Sequence, residues 1–201
     1  MFEVEAKFVV DSFAIIEQQY EFEDPVLEKD VYYQHPSRDF LNSDEWLRLR
    51  TTIRQNNATD LFVVTYKGAK LITESGIKTR QEIEFKASNE IVELLKILGF
   101  KKFVRVEKYR RKSKSSYGVI ECNDLCNDLN VMITLDDVVG LGKYVEIEVL
   151  VEDFNEKLLA INVIETISMK LGLDKYEKRG YAKMILNEIE LGRMEKSIWT
   201  G

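Results

Sequence analysis

Residues Phe2-Glu3-Val4-Glu5-Ala6-Lys7-Phe8 alternate apolar and charged without a break. In an extended chain successive side chains point to opposite faces, so Glu3, Glu5 and Lys7 share one face of a strand and Val4, Ala6 and Phe8 the other. The pattern returns along the chain. From Trp46 to Arg54 the arginines, Arg48 and Arg50 foremost, oppose Leu47, Leu49 and Ile53; Arg80, Glu82 and Glu84 align in TRQEIEF; Glu146 and Glu148 oppose Val145, Ile147 and Val149; Asp136 shares a face with Thr134 and Met132. A single strand of this kind is an antiparallel strand with one wet face. Five of them, bearing mostly Glu and Arg instead of the usual mixture with Ser, Thr and Gln, call for a closed sheet whose charged faces converge. The expected fold is α+β: an eight-stranded antiparallel β-barrel with a charged lumen and an apolar outer face, and with helices packed on the outside.

Strand-like segments are expected over residues 2–10, about 28–35, 46–54, 61–67, 79–85, 102–112, 117–122, 131–138 and 143–151. Ser88 or Asn89 can cap a helix carrying Ile91, Leu94, Leu95 and Leu98 at helical spacing, with Gly99 as its stop signal. A second helix is expected from about Asp153 to Leu171 on the spacing of Leu158, Ile161, Ile164, Ile167 and Leu171, and a short third one over Tyr181 to Ile189. With only Pro25 and Pro36 as prolines and no repeat, residues 1–201 read as one domain, about 153–201 forming its helical C-terminal part.

The lumen would then gather Lys7, Arg48, Arg50, Lys67, Arg80, Lys108 and Arg110 beside Glu3, Glu5, Glu82, Glu84, Asp136, Glu146 and Glu148. Like charges on one strand face lie roughly 7 Å apart, and at an effective dielectric near 20 each such pair costs about 2 kcal/mol, so counter-charges must be close. The basic set suits a ligand with several negative charges, since Arg and Lys bind phosphate oxygens directly. The acidic set suits hard cations. Mg²⁺ or Mn²⁺ takes one or two carboxylates together with substrate phosphates, so a polyphosphate with one or two such ions satisfies both halves.

Other classes are excluded by what the chain lacks. Its formal net charge of −6 argues against a generic basic nucleic-acid binder, and no apolar run approaches the roughly 20 residues that span a bilayer. The charged N-terminus does not read as a signal peptide, which points to the cytoplasm. Two cysteines, Cys122 and Cys126, and one histidine, His35, are too few for a zinc site or for most histidine-based catalysis.

These residues fall in an order that resembles the CYTH superfamily, the triphosphate tunnel metalloenzymes, which groups class IV adenylyl cyclases with thiamine and inorganic triphosphatases. The ExExK opening is Glu3-Val4-Glu5-Ala6-Lys7, followed by EKDVYYQHP, WLRLR, TYKG, RQEIEF, EKYRR, ITLDDVVGLGKYVEIEV and RGYAKMI. The resemblance implies an eight-stranded tunnel that acts on a triphosphate with a divalent metal. By position, Glu3, Glu5, Asp136, Glu146 and Glu148 would hold the metal, and Lys7, Arg48, Arg50, Lys67, Arg80, Lys108 and Arg110 would grip phosphates. Tyr32 and Lys67 match a pair proposed in the thiamine-triphosphatase branch to orient or activate the attacking water. Gly180 stands where the family's terminal segment has Ser. The resemblance also leaves a homodimer open, because the family often forms one.

Three functions fit these residues: a triphosphatase, an adenylyl cyclase making cyclic AMP and pyrophosphate, and a polyphosphate binder without turnover. Hydrolysis needs gripped phosphates, a polarising metal and a positioned water. Cyclisation must in addition hold a ribose and read adenine, and no segment announces either task, so the triphosphatase is the expected activity. The particular triphosphate is not legible, and neither are the roles of Glu82, Glu84, Arg111, Arg179 and Tyr181.

Overall fold

The computed structural model describes residues 2–54, 61–72, 77–113 and 129–195. Its strands are β1 (Phe2–Val10), β2 (Val26–Gln34), β3 (Trp46–Ile53), β4 (Leu61–Lys67), β5 (Leu71–Ile72), β6 (Lys78–Ala87), β7 (Lys101–Lys112), β8 (Asn130–Val138) and β9 (Gly142–Val151). The helices are α1 (Ala14–Glu17), α2 (Glu90–Ile97), α3 (Lys157–Lys170) and α4 (Tyr181–Glu190). The strand expected over 117–122, with Cys122 and Cys126, lies outside the described residues.

Eight strands pair antiparallel in the order β1-β9-β8-β7-β2-β3-β4-β6, and β6 pairs back with β1 to close the barrel. The two-residue β5 adds to the β6 edge where β6 turns to β1. Closure removes most of the free edge, which is how a small all-antiparallel sheet avoids exposed ladder groups.

The expected alternation decides the two faces. Val4, Ala6 and Phe8 of β1, Ile133 and Leu135 of β8, and Val145, Ile147 and Val149 of β9 are buried on the outer face under Ala160, Val163, Ile164 and Ile167 of α3. Within α3 the seam runs through Val163 and Ala160. Leu158 is instead 72% exposed, because at about 100° per residue it lies roughly 120° round the helix from Ile164, off the buried face. On the opposite side Leu95 of α2 packs with Tyr33, Leu49 and Val64. Asn89 precedes α2 as its N-cap residue without a side-chain cap bond, and Gly99 follows the helix at φ 83°, a left-handed conformation that a Cβ would strain.

α4 packs at one end of the barrel. Its Tyr181, Ala182, Met184 and Ile185 pack with Trp46, Val104, Val106, Val138 and Tyr144. Those positions have the parity of Arg48, Lys108, Asp136 and Glu146, so they belong to the lumen face. α4 thus stoppers one end of the barrel, and the apolar residues at that end fill it.

Candidate active site

Beneath the α4 stopper lies a cavity of about 160 Å³, walled by side chains from every barrel strand except β8 and by Gly180, Tyr181 and Ala182. Every residue expected in the site lines this cavity except Asp136. The barrel brings these positions together because lumen parity is kept on each strand while register sets which charges meet.

Across β1 and β9, Lys7 faces Glu146, and Glu5 faces Glu148 directly. A like-charged pair directly opposite is unfavourable. On its other side Glu5 faces Lys78 and Glu3 faces Arg80. Lys78 Nζ lies 3.3 Å from Glu5 Oε1, and the Arg80 guanidinium lies 3.5 Å from Glu3 and 3.6 Å from Glu5. Lys67 Nζ bridges Glu3 at 2.9 Å and Glu82 at 2.7 Å. Among the described residues Glu148 has no cation within ion-pairing distance. Burial pushes the Glu148 carboxyl up, helped by Glu5 and Glu146 and opposed by Lys67 and Arg110. Burial, Glu5, Glu148 and Glu82 likewise hold Glu3 well above the ordinary carboxylate range, against Lys67. Glu5 goes the other way: burial raises it, but Lys78 and Arg80 outweigh burial and keep it low.

This acid excess is what a divalent cation would relieve. Glu3, Glu5 and Glu148 present oxygen donors of the hard type that Mg²⁺ and Mn²⁺ take. Among the described residues no three acidic side chains converge closely enough to cage a cation by themselves. A site of this kind depends on phosphate oxygens to complete the coordination sphere, as Mg²⁺ sites commonly do.

The opposite wall is basic and is braced by acids that the expected set omitted. Asp30 takes a two-pronged contact from Arg50, at 2.6 and 2.7 Å, and Glu28 lies 2.9 Å from the same guanidinium. Burial alone would raise both carboxyls, but Arg50 leads the cations that bring Glu28 down to about 2 and Asp30 lower still. Both acids were legible in principle, since Glu28, Asp30 and Tyr32 alternate along β2 as Glu3, Glu5 and Lys7 do along β1. Lys78 extends the Arg80, Glu82, Glu84 series by one step and fell outside the expected strand start.

Asp136, expected among the metal ligands, lies behind the cavity wall and is fully buried. Lys108 reaches it at 3.0 Å, Arg110 at 2.6 Å and the Tyr181 hydroxyl at 2.8 Å. Its oxygens thus hold the basic floor in place. Arg110 also pairs with Glu146. Lys7 donates to the Arg179 carbonyl at 3.1 Å, lies 3.4 Å from Glu146 and sits 3.7 Å above the centre of the Tyr181 ring. Burial pulls the Lys7 ammonium down to about 8, against the attraction of Glu146.

Tyr32 and Tyr33 divide as adjacent strand residues must. Tyr33 packs under α2, whereas Tyr32 lines the cavity edge-on to Trp46, with ring centres 5.7 Å apart. Burial and Asp30 raise the Tyr32 phenol. Lys67 is raised above its ordinary value because Glu3 and Glu82 outweigh burial. At neutral pH the two are therefore a neutral hydroxyl and a firmly charged ammonium lining one cavity.

A closed antiparallel barrel with a lumen split into a basic wall and an under-neutralised acidic wall defines a class of metal-assisted phosphate-binding tunnels. The CYTH domain family matches residues 1–181, and the chain belongs to the CYTH family. Its members act on triphosphates and depend on divalent metals, and they include triphosphatases and adenylyl cyclase-like enzymes. A Methanocaldococcus jannaschii protein named as a candidate adenylate cyclase is 31% identical over 182 residues, which are 87% of this chain and 92% of that one. The PH1819 protein of Pyrococcus horikoshii, 38% identical, superposes with a TM-score of 0.78 over 92% of this chain and 99% of its own. A Hippeastrum protein described as having a dominant triphosphatase activity shares the fold at a TM-score of 0.60 and 15% identity, over 97% of each chain. No helix among the described residues is long and apolar enough to cross a membrane.

Proposed function

We propose that this protein is a divalent-metal-dependent triphosphatase, hydrolysing inorganic triphosphate or a nucleoside or thiamine triphosphate in the barrel lumen. The observation that carries the reading is Glu148, without a cation partner among the described residues and set directly across from Glu5, facing a wall of arginines and lysines in the same small cavity. Bound at Glu3, Glu5 and Glu148, Mg²⁺ or Mn²⁺ would supply charge neutralisation and polarisation of the phosphoryl oxygens. Glu146, between Lys7 and Arg110, stands at the edge of that seat.

The chain's own residues do the rest. Arg48, Arg50, Arg80 and Arg110 offer forked donors to phosphate oxygens, and among the described residues the buried Nε–H of Arg48 has no hydrogen-bond acceptor, which leaves it available to an anion. Lys7 and Lys108 bind as point charges from the α4 end. Lys67, held charged, balances the negative charge that spreads over the transferred group, and the Tyr32 hydroxyl orients the water as a neutral hydrogen-bonding group. Neither group is poised to take the proton. Asp136 positions Lys108 and Arg110 without touching substrate.

A second reading, adenylyl cyclase, is favoured by the name given to the Methanocaldococcus jannaschii relative. The Hippeastrum protein, which shares the fold, is described as having a dominant triphosphatase activity, and this supports hydrolysis as the first reading. The deciding experiment incubates the protein with tripolyphosphate, ATP and thiamine triphosphate in Mg²⁺ or Mn²⁺ and assays phosphate, pyrophosphate and cyclic AMP separately. Phosphate release without cyclic AMP is expected; cyclic AMP with equimolar pyrophosphate from ATP would replace hydrolase with cyclase.

A further inference from the structure

The barrel closes unevenly. β1 pairs with residues 78–81 of β6, whereas β4 pairs with residues 82–87. Beyond Gln81 the strand therefore overhangs the start of β1, and among the described residues no strand lies along that edge. The Gln81 carbonyl accepts from the Gly68 N–H, on the β4 side. Backbone groups alternate sides along a strand, so Ile83, Phe85 and Ala87 turn theirs toward β4 as Gln81 does. Glu82, Glu84 and Lys86 then present their N–H and C=O groups to the open side.

Soluble proteins commonly blunt an open edge with Pro, a bulge or a covering element. Residues 82–87 contain no proline and pair with β4 without a register shift. On the outer face Ile83 and Phe85 are each 52% exposed, and Leu94 and Leu98 of α2 are open to a similar degree, at 50% and 55%. α2 follows β6 after Ser88 and Asn89 and lies over β4 through Leu95 and Val64, so this apolar surface borders the edge.

The edge is complementary to itself. In an antiparallel pair, directly opposed residues share a face. A two-fold axis through Phe85 sets Glu84 against Lys86 of the partner subunit and Lys86 against Glu84 of the partner subunit, in positions that exchange backbone hydrogen bonds. Ile83 then meets the partner's Ala87, and Phe85 meets the partner's Phe85. Opposite charges and paired aromatics are the favourable classes of cross-strand contact, whereas an axis one residue earlier would oppose Glu84 to its own copy.

We infer that β6 is a self-association edge, on which two copies of this chain pair antiparallel through residues 83–87. Glu84, Phe85 and Lys86 also border a cavity of about 530 Å³ at the end of the lumen opposite α4. The joint therefore sets two lumen mouths side by side and brings Lys86 of the partner subunit to the rim of each. A joint of one strand pair belongs at the small end of specific interfaces, so association is expected in the micromolar range.

Sedimentation equilibrium of the full chain at about 10 to 200 μM brackets that range. The unmodified protein should approach twice the mass of one chain. Lys86→Glu sets acid against acid at both symmetric contacts, and Glu84→Lys sets base against base, so each variant alone should associate about ten-fold or more weakly. Mixed in equal amounts, the two variants regain opposite charges at both contacts and should form a heterodimer at close to the unmodified affinity, which also shows that both are folded. Phe85→Lys, which opposes two ammonium groups on the axis, should leave a monomer. An unmodified protein that stays monomeric throughout overturns the inference. So does a dimer that the single charge variants leave intact, or one that both abolish and mixing does not restore.

Discussion

Replacing Glu148 by Gln should make the metal-free protein more stable and the enzyme nearly inactive. Glu5 and Glu148 are register partners across β1 and β9, and directly opposed side chains on a sheet have Cβ atoms about 5 Å apart. With carboxylates about 6 Å apart and an effective dielectric near 20, their repulsion is about 3 kcal/mol. Part of it is already relieved, because burial and the neighbouring acids push Glu148 toward its neutral form, and Gln also gives up the attraction of Lys67 and Arg110. A net gain of about 1 kcal/mol remains, which for a domain of this size raises Tm by about 2–4 °C. Gln keeps the shape but not the charge, so metal-assisted turnover should fall by about two orders of magnitude or more, a loss of about 3 kcal/mol of transition-state stabilisation. Calorimetric melting in EDTA reads the first effect, and phosphate release from tripolyphosphate in Mg²⁺ reads the second. A variant that melts lower than the unmodified protein in EDTA, or that turns over normally at ordinary metal concentration, refutes the acid-excess argument; the metal seat would then have to be rebuilt around Glu3, Glu5 and Glu146.

Arg50→Ala should cost stability as well as substrate affinity, because it strands Asp30 and Glu28 without their main partner; removing one side of a buried pair costs about 3–5 kcal/mol, and urea unfolding with unchanged stability would show that this network is not structural. EDTA should abolish phosphate release, and Mg²⁺ or Mn²⁺ should restore it; robust turnover in chelated protein contradicts the two-wall site. Tripolyphosphate with Mg²⁺ at 100 times its Kd should stabilise the fold by about 2.7 kcal/mol, visible as a larger Tm increase than orthophosphate gives. The pH dependence of binding follows Lys7, whose ammonium titrates near 8 in the free protein. A bound triphosphate raises that pKa, so the contribution of Lys7 is complete below pH 8 and is lost as pH rises from 8 toward the higher bound value; tripolyphosphate affinity that is flat from pH 7 to 9.5 would remove Lys7 from the phosphate grip.

Much of the lumen was legible from local pattern. A strand has a strict two-residue period, so the face of Glu3, Glu5, Lys7, Arg48, Arg50, Lys67, Arg80, Glu82, Glu146 and Glu148 follows from neighbours one and two positions away. The same rule pointed to Glu28, Asp30 and Lys78, and these were missed for different reasons. Asp30 and Glu28 stand next to Lys29 and Val31, which interrupt a clean alternation of apolar and charged residues, and Lys78 precedes the strand start that the apolar residues suggest. Tyr181 carried no such signal. Its hydroxyl meets Asp136 across 45 positions of chain, and its ring meets Lys7 from the far end of the sequence. Helical periodicity in α4 marked an apolar face without saying what that face covers.

Period and residue type therefore determined which side chains look inward and the sign of the charge each brings, because both are local properties of an extended backbone. Only the tertiary structure decided how those charges are shared out. Strand register set Glu5 against Glu148 and Lys7 against Glu146, closure between β1 and β6 brought Lys78 and Arg80 beside Glu5 and Glu3, and α4 stoppered one end, burying Asp136 behind the wall under Tyr181. These are contacts between residues far apart in the chain, fixed by pairing energies summed over whole strands, and a one-residue slip in any ladder would turn every one of its charges to the opposite face.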